Sequence, residues 1–275
     1  MAELPEVETT RRGLKPFVVG QRVVDVVVRE PRLRWPVTRE LVDALRGATI
    51  DALERRAKYL LLRTRRGTVI AHLGMSGSLR VLAHASPAQE HDHVDLLLGN
   101  GKLLRLRDPR RFGCLLFTRD DPHAHALLEH LGPEPLSSAF DGDVLFQKSR
   151  GRRAPVKCFL MDAEIVVGVG NIYANESLWR AGIHPRRAAG RIARPSYARL
   201  ARAVKEVLAA AIEKGGTTLR DFMQSDGQPG YFHADLAVYD RTGAPCPRCR
   251  TPIARAALGG RATHWCPACQ PAPGA

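Results

Sequence analysis

The sequence predicts an α+β protein, with a β-rich N-terminal half, a mainly helical second half and a zinc ribbon near the C-terminus. Short runs of β-branched and aliphatic residues fill residues 21–117, and an amphipathic helical pattern follows near residue 200. Two Cys-x-x-Cys pairs lie close to the end of the chain. A length of 275 residues fits two domains at roughly 100 to 200 residues each.

Six runs are predicted to form strands because β-branched and aliphatic residues dominate them. They are VVDVVV, KYLLL, TVIAHL, HVDLLL, KLLRLR and CLLF. Gly99-Asn100-Gly101 separates the fourth run from the fifth, and Asn-Gly readily takes the positive φ angles of a tight turn. These two runs are therefore predicted to pair as an antiparallel hairpin.

Two helices are predicted from charge order and periodicity. Pro5 to Leu14 places acidic residues ahead of basic ones, as a helix dipole favours, and Gly13 and Pro16 stand near its end. Ser196 to Lys214 carries apolar residues at helical spacing and precedes two glycines. The first helix is expected to be short and the second to be long.

Residues 131–143, LGPEPLSSAFDGD, gather the Gly, Pro, Ser and Asp typical of a linker. We therefore divide the chain into a β-rich domain over residues 1–134, a helical domain over 135–238 and a zinc-ribbon finger over 239–275.

Charge points to nucleic acid as the partner. Lys and Arg number 42 against 28 Asp and Glu, which gives a net charge of +14 and a pI near 10.1. A merely soluble basic protein remains an alternative. The sequence contains no apolar run of about 20 residues, and MAELPEVETT lacks the features of a signal peptide. We expect a soluble, cytoplasmic monomer with no membrane partner.

The spacing of four cysteines predicts one structural Zn²⁺ ion. Cys246 and Cys249 form one pair, Cys266 and Cys269 form the other, and sixteen residues lie between them. That length suits a β-hairpin. A redox role needs only one pair, and a catalytic zinc would keep a position open for water.

Arg261 and the two remaining cysteines have no role that spacing alone decides. Arg261, in the connecting segment GGRATHW, either binds phosphate or is a solvated charge. Cys114 and Cys158 lie on apolar stretches and are interpreted as small buried residues without a chemical role.

Eight blocks of sequence in order, with the zinc ribbon last, resemble bacterial formamidopyrimidine-DNA glycosylases. They include AELPEVETTRRG, RRAKYLL, LGMSGSLR, HDHVDL, DPRRFG, MDAEIVVGVGNIYANE and GGTTLRDFMQSDGQPGYF. The resemblance implies an N-terminal β-sandwich with flanking helices, then a helical helix-two-turn-helix domain with the zinc ribbon, and DNA bound in the cleft between them. It implies excision of 8-oxoguanine and formamidopyrimidines from double-stranded DNA, followed by backbone cleavage at the abasic site.

The resemblance also assigns catalytic roles. The N-terminal amine, exposed when Met1 is removed, attacks the sugar carbon C1′, and here that amine belongs to Ala2, where the family has proline. Glu3 matches the family's acid, Lys58 a lysine near the sugar, and Arg261 an arginine on the flanking phosphates. Because the substitution strikes the nucleophile, we expect impaired activity. A variant that flips lesions without cutting is the alternative, and a zinc-ribbon regulator is a third hypothesis.

An extruded base leaves a void that must be filled. Met75, Arg110 and Phe112 match the family's filling residues, although Phe112 beside a strand is also typical of core packing. His91 and Arg153 match DNA-contacting positions, and Lys157 matches a DNA-binding lysine implicated in 8-oxoguanine handling. Asn171 matches a DNA-contacting position at the start of a helix, where it can reach a phosphate, and a plain helix N-cap is a compatible interpretation. Residues 217–231 match a mobile loop that closes over the base.

Overall fold

A computed structural model describes residues 2–216 and 232–272. The predicted loop over 217–231 therefore lies outside the described residues. The chain divides into two compact units, the first formed by residues 1–130 and 214–233 and the second by residues 131–213 and 234–275. Within the described residues, none of the helices combines the length and the apolar composition needed to cross a membrane.

The first unit is a β-sandwich. One four-stranded sheet has the order β1-β6-β7-β5 and the other has the order β2-β3-β4-β8. All neighbouring strands in these sheets are antiparallel. The strands are β1 Val23–Val28, β2 Ile50–Arg56, β3 Tyr59–Thr64, β4 Gly67–His72, β5 Ser78–Ala83, β6 Asp92–Leu98, β7 Lys102–Arg107 and β8 Cys114–Thr118.

One apolar core joins the two sheets. Leu62 and Val69 from the second sheet pack in the same buried cluster as Leu96 and Leu104 from the first. Every predicted strand is confirmed, and so is the hairpin between β6 and β7, whose Gly101 has φ 74°. β2 and β5 were not predicted because charged residues interrupt their apolar pattern.

The N-terminal helix α1 spans Leu4–Val18 and is longer than predicted. It passes through Gly13 and Pro16, which were interpreted as its end. Pro16 lies in the last turn and has no N–H to donate to the Arg12 carbonyl, four residues earlier. Because Arg12 is exposed, water can bind that carbonyl instead, and the helix continues past Pro16. A second helix, α2 Arg39–Leu45, follows β1 and begins at Thr38, whose hydroxyl accepts the Leu41 N–H.

The second unit is mainly helical and ends in a β-hairpin. Its helices are α3 Gly142–Ser149, α4 Val156–Leu160, α5 Asn171–Ala181 and α6 Arg194–Glu213, and its hairpin pairs β9 Ala254–Leu258 with β10 Arg261–Trp265. The long helix predicted near residue 200 is confirmed as α6. The segment over residues 131–143, which was predicted to be a linker, is packed within the second unit. Phe140 is fully buried, and the Gly132 N–H donates to Ala163 O.

Candidate active site and zinc ribbon

The N-terminus is buried at the start of α1. Ala2 is 5% exposed and Glu3 only 2%. Glu3 is the N-cap of α1 and forms a capping box with Glu6, whose Oε2 accepts the Glu3 N–H at 2.9 Å. This contact fixes the first helical turn and places Ala2 beside the positive end of the α1 dipole.

Lys58 lies in the two-residue turn between β2 and β3, where Ala57 has φ 54°. Arg55 connects this turn to α1. Its Nε donates to Glu8 Oε2 at 3.1 Å, and its guanidinium donates to the Ala57 carbonyl at 2.9 Å. Arg55 and Glu8 therefore fix the turn that carries Lys58 relative to the helix that carries Ala2.

Glu8 is expected to stabilise the protein against acid. Burial alone would raise its pKa, but hydrogen bonds from Arg11 and Arg12 and the charges of Arg11 and Arg55 lower the pKa to about 2. A depressed pKa contributes stability above the unfolded value near 4.5, and this contribution is lost as pH falls from there towards 2. Glu8→Gln should therefore cost about 3 kcal/mol at pH 7 and flatten the acid limb of the unfolding curve.

Urea unfolding between pH 7 and pH 3 measures this effect. Glu54→Gln is the matched control, because Glu54 forms a surface ion pair with Arg63 at 3.0 Å and is expected to contribute less than about 1 kcal/mol. Equal losses in the two variants would contradict the role assigned to Glu8.

His72, at the end of β4, lies beside the Lys58 turn. Its ring is 4.8 Å from Tyr59, and its Nδ1 accepts the Gly74 N–H at 2.9 Å. Burial, with smaller contributions from the charges of Lys58 and Arg34, lowers the pKa of His72 to about 4. The ring is therefore neutral at physiological pH and fixes the start of the segment that contains Met75.

Two loops of the first unit expose large apolar side chains. We call residues 73–77 the Met75 loop and residues 108–113 the Phe112 loop. Met75 is 39% exposed and Phe112 is 46% exposed, so core packing does not explain Phe112. The Arg110 guanidinium carbon lies 5.0 Å from the centre of the Phe112 ring. His91, just before β6, has φ 71° and a partly exposed side chain.

In the second unit, the four predicted cysteines form one cluster. Their Sγ atoms all lie within 4.8 Å of one another. Cys246 Sγ is 3.9 Å from Cys269 Sγ, and Cys249 Sγ is 3.4 Å from Cys266 Sγ. Four sulfurs around one zinc ion at about 2.3 Å would be about 3.8 Å apart, so the arrangement fits tetrahedral zinc.

The β9-β10 hairpin connects the two cysteine pairs, as the spacing predicts. Arg261 begins β10 and is exposed. Beneath it, Lys157 is fully buried, and its ammonium donates to Ala262 O at 3.0 Å and to Thr263 Oγ1 at 2.7 Å. From this position Lys157 supports the strand that carries Arg261.

Asn171 is the first residue of α5, and the N-cap is Gly170. The N-cap interpretation of Asn171 is therefore wrong, because Gly170 occupies the N-cap position and Asn171 already lies inside the helix. Its Nδ2 donates to Ala262 O at 3.1 Å, while none of the described residues hydrogen-bonds its buried Oδ1. Arg153 is exposed shortly before α4.

Three family profiles match successive parts of the chain. The formamidopyrimidine-DNA glycosylase N-terminal domain matches residues 1–115, and the H2TH domain of the same enzymes matches residues 131–223. A zinc finger found in FPG and IleRS matches residues 243–272. The chain belongs to the formamidopyrimidine-DNA glycosylase family. It is therefore a base-excision DNA glycosylase and AP lyase by family, and its four cysteines form a structural zinc site.

Formamidopyrimidine-DNA glycosylases from several bacteria are similar over their whole length. The enzyme of Alkalilimnicola ehrlichii is 61% identical over 276 residues, which cover 98% of this chain and 100% of the relative. That of Marinobacter nauticus is 58% identical over 270 residues, with the same coverage.

Solved structures of the family share the fold. The Thermus thermophilus protein has a TM-score of 0.87 at 43% identity, with 98% of both chains covered. The Lactococcus lactis enzyme bound to DNA with an abasic site has a TM-score of 0.90 at 35% identity, with coverage of 98% of this chain and 100% of the relative. A variant of that enzyme bound to Fapy-dG DNA has a TM-score of 0.91 at 34% identity, with the same coverage.

In this glycosylase the candidate residues fall into two groups. The first unit holds Ala2, Glu3, Lys58, Met75, His91, Arg110 and Phe112, and the second holds Arg153, Lys157, Asn171, Arg261 and the four cysteines. Sequence reasoning missed the residues that fix them, namely Arg55, His72, Ser76 and Asp108. Asp108 stands in the quoted block DPRRFG, but nothing in that block shows which residues it contacts.

Proposed function

We propose that the enzyme excises oxidised purines, 8-oxoguanine and formamidopyrimidines, from double-stranded DNA through the α-amine of Ala2. The observation that carries this proposal is the burial of Ala2 and Glu3 together at the start of α1. The capping box fixes Glu3 directly after Ala2, whose α-amine is freed when Met1 is removed. The relatives solved with Fapy-dG and abasic-site DNA support the same class of substrate.

The proposed reaction begins when the neutral amine attacks C1′ and the glycosidic bond breaks. The base leaves with the bonding electrons and takes up a proton, and Glu3 protonates the oxygen of the opening sugar ring. The iminium formed at C1′ acidifies the C2′ proton, whose removal expels the 3′ phosphate. The positive end of the α1 dipole disfavours a charged ammonium, which helps to keep the amine nucleophilic.

Ala2 in place of the family's proline is proposed to weaken this chemistry. A proline ring fixes its nitrogen and forms a permanently charged iminium, whereas a primary amine rotates and its imine loses a proton readily. We therefore propose slower excision than a proline terminus would give.

The remaining candidates are proposed to bind and deform DNA. Lys58 and Arg261 contact phosphates at the lesion, and His91, Arg153 and Asn171 contact the backbone nearby. Met75, Arg110 and Phe112 fill the void left by the extruded base. Lys157 is proposed to act through Arg261, because its ammonium is buried against β10.

The proposed place of action is the cytoplasm, in association with the nucleoid. We propose that the chain works there as a monomer organised as domains 1–134, 135–238 and 239–275.

Borohydride trapping tests the nucleophile. The protein is incubated with duplexes containing 8-oxoguanine or an abasic site, reduced, digested and analysed by mass spectrometry. We expect a covalent adduct on Ala2, more readily with the abasic duplex, because that substrate needs no glycosidic cleavage. Glu3→Gln should lower adduct formation on 8-oxoguanine about 100-fold or more, as expected for loss of an acid catalyst.

A different outcome would favour a second function. Ala2 itself supports a damage-binding protein that flips lesions without cutting. Tight binding to 8-oxoguanine DNA with no adduct, in a preparation whose terminal mass shows that Met1 is absent, would overturn the proposed catalysis. Retention of Met1 would instead block the amine directly, so the terminal mass is measured alongside.

A further inference from the structure

The carboxylate of Asp108 lies buried between the two loops that expose Met75 and Phe112. It is 0% exposed, and both of its oxygens accept hydrogen bonds. Ser76 Oγ donates to Oδ1 at 2.8 Å, and Gly113 N–H donates to Oδ2 at 2.8 Å. One side chain therefore joins the Met75 loop to the far end of the Phe112 loop.

Two further contacts tighten this junction. Ser76 Oγ accepts the Arg110 N–H at 3.3 Å, so the hydroxyl contacts both Asp108 and the backbone of a proposed DNA-binding residue. Gly74, with φ 63°, lies so close to the Phe112 loop that an added Cβ would be 2.6 Å from the Phe112 carbonyl carbon. The two loops are therefore in direct backbone contact.

The main chain of Asp108 adds a third element. Its N–H donates to the His91 carbonyl at 3.0 Å, and its carbonyl accepts from His93 Nε2 at 2.8 Å. The segment that carries His91 is therefore fixed to the same residue as the two loops.

A buried carboxylate is costly unless it is fully hydrogen-bonded, so Asp108 requires these donors in one geometry. Met75 and Phe112 are partly exposed and are not part of the buried cluster that joins the two sheets. The polar network around Asp108 lies in the two loops that carry them.

We infer that Asp108, acting with Ser76, is a positioning residue for base extrusion. It holds Met75, Arg110, Phe112 and His91 in their inserted arrangement before DNA binds, so that the energy of binding is not used to order them. The inference rests on the proposed void-filling function of these residues. It goes further by naming the groups that preorganise them.

Stopped-flow fluorescence with 2-aminopurine beside the lesion measures extrusion without requiring cleavage. We compare duplexes containing 8-oxoguanine with duplexes containing a tetrahydrofuran abasic analogue. Asp108→Asn replaces one acceptor by a donor, and Ser76→Ala removes the hydroxyl between the loops. Both variants should slow extrusion of 8-oxoguanine about tenfold or more, while binding to the abasic analogue changes much less because no base has to be unstacked.

Two controls separate positioning from general destabilisation. Ser78→Ala removes another buried hydroxyl, at the first residue of β5 directly after the Met75 loop, and should leave extrusion unchanged. Ser76→Thr keeps the hydroxyl and should restore most of the rate. Unfolding of each variant is measured in urea.

Unchanged extrusion in Asp108→Asn and Ser76→Ala would overturn the inference. So would equal losses with both duplexes that track the loss of stability, because those losses would show a merely structural role. No fluorescence change with the unaltered protein on 8-oxoguanine DNA would overturn the proposed function itself, and the inference with it.

Discussion

Ala2→Pro is expected to raise the rate of 8-oxoguanine excision by about 10- to 100-fold. The ring would fix the nitrogen at the start of α1 and give an iminium that cannot lose its charge, and misplacement of a reacting atom by about 1 Å costs up to about 100-fold. Single-turnover kinetics on an 8-oxoguanine duplex measure the change in the chemical step.

Ala2→Ser is the matched control, because serine is small and keeps a primary amine. It should give no such gain. The terminal mass of all three proteins must show removal of Met1. Equal rates for alanine and proline would show that the ring is dispensable in this chain and would contradict the proposed impairment.

Loss of zinc should unfold the ribbon and abolish DNA cleavage. Structural zinc contributes about 10 kcal/mol or more to the folding of zinc-finger peptides, which is comparable to the total stability of a domain. The buried apolar cluster of the ribbon is small: it consists of Ala237, Val238, Ile253 and two of the ligands, Cys246 and Cys266, with Trp179 and Cys269 packed against it. Cys249→Ser should therefore lose bound metal and expose β9 and β10 to hydrogen exchange.

Cys158→Ala is the control for this experiment, because Cys158 lies outside the cluster of four thiols. It should keep one zinc per chain and normal exchange in the hairpin. Full cleavage by Cys249→Ser without metal would contradict the structural role of the ion.

The sequence predicted those elements whose signals are local. Gly99-Asn100-Gly101 specifies its own turn, and the two cysteine pairs specify a zinc site by spacing alone. In contrast, β2 carries Asp51, Glu54 and Arg55 among its residues, and its pairing with β3 decides its conformation. The continuation of α1 past Pro16 likewise depends on whether water can reach the carbonyl that Pro16 leaves without a donor. The periodicity of the sequence does not show this.

Contacts between distant residues explain what was missed in the site. Ser76 and Asp108 are 32 positions apart, and Lys157 contacts Thr263 across 106 positions. The resemblance matched Lys157 to a DNA-binding lysine implicated in 8-oxoguanine handling, and only the fold shows that its side chain is fully buried. For Phe112 the local pattern alone favoured core packing, because an aromatic residue beside a strand is more often part of the core, and only the resemblance placed it among the void-filling residues.

The buried ammonium of Lys157 also restricts how β10 can pair. Two of its contacts, with Ala262 O and Thr263 Oγ1, are to consecutive residues of that strand. A slip of β10 by one residue would turn every side chain to the opposite face and would withdraw both acceptors from a charge that water cannot reach. Lys157 thereby favours one register of β10 against β9. That register places Arg261 at the first position of β10.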